Sequence, residues 1–113
     1  GDNPARILWS PPEAQIRLVF DPRARPGQIR DLRIVGQGIL PRAEITLRNR
    51  NGRPFLIVQD ASEYVVCNVR RTYIRAHDVL IPTDAPTGQY DVIVRNQGWK
   101  HELKWDDFFV IEQ

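Results

Sequence analysis

The chain has 113 residues, a formal net charge of +2 and a pI of about 9.0, which is enough for one hydrophobic core held without several disulfides or a metal. Its one cysteine, Cys67, excludes an internal disulfide framework and any multi-cysteine zinc site. Arginine supplies 14 of the 16 basic residues and is spread over the whole length, a mild and scattered excess rather than the basic clusters interleaved with aromatic residues of a nucleic-acid binder.

No window repeats apolar residues at helical spacing over two turns, and nine prolines stand where helices would have to run. The expectation is an all-β chain. Residues 14–21 place Ile16, Leu18 and Phe20 on one face against Arg17 and Val19, and Pro11-Pro12 marks an edge strand. Residues 23–27 read as a turn. Residues 31–36 put Leu32 and Ile34 inward and Arg33 outward, and Gly36-Gln-Gly38 then supplies a bend that a side chain would obstruct. In residues 43–48, Ala43, Ile45 and Leu47 alternate with Glu44, Thr46 and Arg48. Asn49-Arg-Asn-Gly52 closes that strand with hairpin chemistry, and residues 55–58 return.

Residues 64–69 and 79–81 are further strands, with the polar segment 70–78 placed partly in a loop. Within the first of these Cys67 alternates with Val65 and Val69, so a buried, inert thiol is expected. Pro86 and Gly88 lead into the clearest strand, residues 89–96, with Tyr90, Val92 and Val94 on one face and Gln89, Asp91, Ile93 and Arg95 largely on the other. Residues 101–105 and 108–111 finish the chain. Four apolar residues in a row, Phe108 to Ile111, need both faces covered, within the sandwich or by a neighbouring domain. Short strands punctuated by Gly, Pro and Asn describe a Greek-key β-sandwich of about seven to nine strands without substantial helix.

The order of Gly36-Gln-Gly38, Ile39-Leu-Pro41, Ala43-Glu-Ile-Thr-Leu47, Asn51-Gly52, Ile81-Pro82, Ala85-Pro-Thr-Gly-Gln-Tyr-Asp-Val-Ile-Val-Arg-Asn96 and Phe108-Phe-Val-Ile111 is more specific. It resembles the IPT/TIG immunoglobulin-like domains over residues 29–111. The likeness divides the chain into an N-terminal extension with a first strand, residues 1–28, and an IPT/TIG-like sandwich, residues 29–113, together one domain. It implies a seven-stranded sandwich used as an extracellular or cell-envelope spacer, as an accessory domain of polysaccharide-active enzymes, in surface receptors, or as a dimerising and DNA-contacting module of some transcription factors. No catalytic residue, cofactor or metal comes with it.

Other constellations compete with simple structural roles. His77-Asp78 pairs a base with a carboxylate but lacks a nucleophile context. His101-Glu102 with Asp106-Asp107 gathers oxygen ligands near one loop, as a divalent cation needs, or as solvated turns do. Trp99 and Trp105 beside Lys100 and Lys104 offer an aromatic platform for a sugar or a protein, or else fill the core and cap the sandwich end. Arg70, Arg71 and Arg75 with Tyr73 would meet phosphates or acidic partners, or keep a strand edge solvated.

The composite expectation is a non-enzymatic immunoglobulin-like module, without cofactor, of a larger bacterial extracytoplasmic protein. The absence of methionine and the Gly-Asp-Asn-Pro start point to an excised piece. The sequence carries neither an apolar run of membrane-span length nor a cleavable signal. Its expected partners are neighbouring domains and other proteins, with polysaccharide through Trp99 or Trp105 as the alternative and nucleic acid as the weakest reading. Its expected place is the periplasm, the cell surface or the medium, on the resemblance alone.

Overall fold

The computed structural model describes residues 14–51, 54–68 and 70–113. The proline pair at 11–12, Val69 and Gly52 of the expected hairpin turn lie outside them. Ten strands run in the order β1 (Gln15–Val19), β2 (Arg23–Ala24), β3 (Ile29–Gln37), β4 (Glu44–Asn49), β5 (Leu56–Asp60), β6 (Glu63–Asn68), β7 (Arg71–Leu80), β8 (Gly88–Arg95), β9 (Leu103–Lys104) and β10 (Phe109–Ile111). The chain is all-β, as its period-two alternation requires.

The strands form two sheets. One has the order β1-β3-β7-β6, and the other β2-β10-β8-β4-β5 with β9 paired to β8. All pairings are antiparallel except that of β2 with β10. Antibody-type domains divide their strands in the same way, A, B, E and D on one sheet and C, F and G on the other. Here β1, β3, β7 and β6 take the first set of places, and β4, β8 and β10 the second.

Between the sheets, Leu32, Ile34, Ile74 and Ala76 meet Ile45, Leu47, Tyr90, Val92, Val94, Phe109 and Ile111, all buried. Full burial of an Ile, Leu, Val or Phe side chain is worth about 1.5–3 kcal/mol, so this layer dominates the stability. Tyr90 sits at the start of β8 and donates its hydroxyl back to the carbonyl of Pro86 at 2.6 Å, the tyrosine corner of immunoglobulin-like sandwiches. Two residues on, where antibody domains carry the second cysteine of their inter-sheet disulfide, this chain has Val92.

Four expectations need correction. A bulge shifts the β1–β3 register between Ile16 and Leu18, so Ile16 and Val19 are buried while Leu18 is 45% exposed. An extra residue in a strand exchanges the faces of everything beyond it. The turn at 23–27 contains β2, which pairs with the last strand. Residues 70–78, expected partly as loop, are mostly β7, an interior strand whose Thr72, Ile74 and Ala76 face the core. Finally, Cys67 is exposed. It lies at a register irregularity of the edge strand β6, and Val65, with which it alternates in sequence, stands on the outer face opposite Tyr73.

The terminal apolar run is accounted for within the domain. Phe109 and Ile111 are fully buried, Val110 is half-buried between β2 and β8, and Phe108 lies under the Arg50 guanidinium at 5.3 Å.

Candidate interaction surface

The outer face of the β1-β3-β7-β6 sheet carries a row that only register reveals. Leu18 stands opposite Val35, Val35 opposite Tyr73, and Tyr73 opposite Val65. Four apolar or aromatic side chains thus cross all four strands on the solvent side. Leu18 and Val65 are 45% and 44% exposed, and Val35 and Tyr73 half-buried. Phe20 widens the row, meeting Tyr73 edge to face with ring centroids 6.4 Å apart and lying under Arg33 at 5.0 Å. Cross-strand pairs of this kind stabilise a sheet, but they also leave an apolar stripe facing water.

On one side of the stripe lie charges that satisfy each other. Arg33 reaches Asp21 at 2.9 Å, and Arg75 lies 2.9 Å from Glu63 and 3.7 Å from Asp31. The Arg75 Nε–H donates to His77 Nε2 at 3.3 Å, so Glu63 Oε1 holds it by charge rather than by an aligned hydrogen bond. His77 stands 3.8 Å from Asp31 and 3.6 Å from Glu63. The Asp31 carboxyl is held below its ordinary pKa: the backbone N–H of Asp78 lowers it most, burial opposes this, and Arg75, His77 and Arg33 each lower it further. Asp78, in the left-handed region at φ 53°, therefore serves Asp31 through its backbone.

On the other side of the stripe the charge finds no counter-charge among the described residues. Arg17, Arg70 and Arg71 line a shallow depression of about 360 Å³ with Asn68. Arg17 donates to Gln37 Oε1, and Asn68 Oδ1 takes the Arg70 N–H at 2.9 Å. No carboxylate of the described residues stands within ion-pair distance of these three guanidinium groups. The expected trio of Arg70, Arg71 and Arg75 is thus divided. Arg70 and Arg71 join Arg17, whose place depends on the β1 bulge and is invisible to a local motif, while Arg75 is committed to Glu63 and Asp31.

The tryptophan pair is divided too. Trp105 is 7% exposed and part of the core, with its backbone N–H donated to Val92 O at 2.9 Å. Trp99 is half-buried in the turn after β8, its N–H donated to Asn96 O at 3.1 Å, with Lys100 exposed beside it in sequence. Glu102 pairs with Arg48 at 3.7 Å, and Asp107 Oδ1 accepts the Phe108 N–H. Among the described residues no three His, Cys, Asp or Glu side chains are grouped to hold a metal ion, and no helix is long and apolar enough to cross a membrane.

A different anchor organises the second sheet. Arg50 donates to Asp91 at 2.6 Å, to Gln89 at 3.3 Å and to the carbonyl of Asp107 at 3.2 Å. It thereby ties the β4–β5 loop to β8 and to the approach to β10, and Lys104 stands 3.8 Å from the same Asp91. This accounts for an aspartate side chain only 12% exposed on the outer face of a strand. No family model, curated protein or solved structure matches the chain.

Proposed function

We propose that the chain is a non-catalytic immunoglobulin-like module, of IPT/TIG type, in a larger bacterial extracytoplasmic protein. It fixes the separation and angle of its neighbours and offers the outer face of the β1-β3-β7-β6 sheet for protein contact. The observation that carries this reading is the stripe Leu18, Val35, Tyr73 and Val65. Such a stripe, bounded by charge, is the form of a protein-binding patch, with an aromatic residue near its middle.

The imidazole of His77, the residue closest to a catalytic role in sequence terms, is engaged by Arg75 and two carboxylates, while the nearby Ser62 hydroxyl accepts the His77 backbone N–H and donates to the Arg75 carbonyl. A sugar platform would have to rest on Trp99 and Lys100 without Trp105, since the latter is in the core.

Two measurements test the reading. The isolated chain is expected to turn over no substrate of a broad hydrolase panel; turnover abolished by His77→Ala would overturn it. In a titration of isotopically labelled chain with the flanking domains of its parent, amide shifts are expected at Leu18, Val35, Val65 and Tyr73. Flat spectra with both neighbours would remove the contact role.

A further inference from the structure

The last strand of the first sheet, β6, is an edge without the usual protection. Natural edges are kept from pairing by lysine, proline, short length or a strong bulge. β6 has six residues with Tyr-Val-Val at its centre, and Val65 and Val66 are 44% and 58% exposed. Its one charged residue, Glu63, stands at its first position and turns to Arg75 on the neighbouring strand. The irregularity at Cys67 affects only the far end. Among the described residues no strand pairs with its open side, so every second N–H and C=O along it awaits a partner.

The charges around β6 are polarised along the strand. Asp60 and Glu63 lie at its beginning, and Arg70 and Arg71 follow its end, joined by Arg17 from across the sheet and with no acid in the depression they line. A parallel copy of the same strand would set like charge on like. An antiparallel copy sets the acidic start of each against the basic end of the other, the arrangement that cross-strand pairs favour.

We infer that β6 is a self-pairing edge: two copies of the chain join antiparallel about Val65 and Val66 into one continuous eight-stranded sheet. The contact is isologous, the same strand on both sides of a two-fold axis, and it uses main-chain hydrogen bonds for affinity as strand addition does. It brings the two outer stripes end to end through Val65. It also brings the acidic start of each strand toward Arg70 and Arg71 of the other copy, which find no carboxylate among the described residues of one chain. A six-residue ribbon buries less than the roughly 1,200 Å² of a standard interface, so the pairing is weak for free domains and becomes effective where two copies are held close together. The inference rests on the reading of the chain as an interaction module and names its partner.

Sedimentation velocity on the 113-residue chain from micromolar to millimolar concentration is expected to follow a monomer–dimer equilibrium. Val65→Lys puts a charge at an exposed central position. It is expected to weaken dimerisation at least tenfold while the melting curve of the monomer is kept, and the pair Arg70→Glu with Arg71→Glu to weaken it about fivefold. Cys67, the one cysteine and exposed, accepts a nitroxide without any substitution. Labels on paired strands are expected to show dipolar broadening that Val65→Lys removes. A chain monomeric at millimolar concentration, a dimer that Val65→Lys leaves intact, or a dimer without broadening would each overturn the pairing. None of these outcomes touches the spacer reading, which the hydrolase panel and the neighbour titration address separately.

Discussion

Asn96 and Gly38, 58 residues apart, are joined by a 2.9 Å hydrogen bond from the Asn96 side-chain amide to the Gly38 carbonyl. The same side chain accepts the Leu40 N–H at 2.8 Å. Asn96 is almost completely buried at the end of β8, so it satisfies both polar groups of the bend after β3 and fixes one sheet against the other.

Replacing Asn96 by Ala leaves a carbonyl and an amide of that bend without their partner. The expected loss is about 2 kcal/mol, a fall in Tm of about 10 °C for a chain of this size. Asn96→Asp should cost at least as much, because a carboxylate would face the Gly38 carbonyl where a donor is needed. Thermal melts of the two variants check both statements.

At Gly36 the reason for glycine is space. A Cβ there would stand 2.6 Å from the Gln15 carbonyl oxygen and 2.5 Å from Ile39 Cδ1. Ile39 has some freedom to turn, but the backbone of β1 can only move away. Gly36→Ala is therefore expected to cost about 1–3 kcal/mol and to raise hydrogen-exchange rates along β1 more than along β8.

Arg50→Ala should destabilise the chain by about 2–3 kcal/mol. It leaves Asp91 with Lys104 at 3.8 Å as its remaining counter-charge and releases the Asp107 carbonyl. Arg50→Lys should recover only part of this, since an ammonium cannot span Asp91, Gln89 and Asp107 as the guanidinium fork does. Denaturant titrations at fixed pH give both values.

The depressed pKa of Asp31 carries a pH dependence. A carboxyl whose folded pKa lies below its ordinary 3.8 stabilises the fold above that value, and the contribution is lost as pH falls through the folded pKa. Stability should therefore decline below about pH 4. Asp31→Asn should flatten that limb. Urea midpoints from pH 2.5 to pH 7 test this.

Much of the fold was legible because alternation reports burial directly. Ala43, Ile45 and Leu47, and Tyr90, Val92 and Val94, face inward as their spacing requires. The failures have identifiable causes. In β7, Arg71, Tyr73, Arg75 and His77 occupy the outer face, and their polarity hid the Thr72, Ile74 and Ala76 face beneath. In β1 a single bulge exchanged the faces from Leu18 onward. Cys67 had the right neighbours for a core position, but Val65 belongs to the outer face and the register slips at Cys67 itself. The stripe is a property of register among four strands, two from the start of the chain and two from its middle, so no single segment contains it. Local motifs grouped Arg70 and Arg71 with Arg75, whereas the sheet grouped them with Arg17.

The tyrosine corner has one further consequence. In this sandwich Tyr90 closes the turn before β8 with a hydroxyl, and the site two residues on, a cysteine in antibody domains, is Val92. With one cysteine in the chain, closure of this core needs no disulfide and so no oxidant. The inter-sheet link that antibody domains make through sulfur is made here by apolar packing alone, which does not respond to redox conditions.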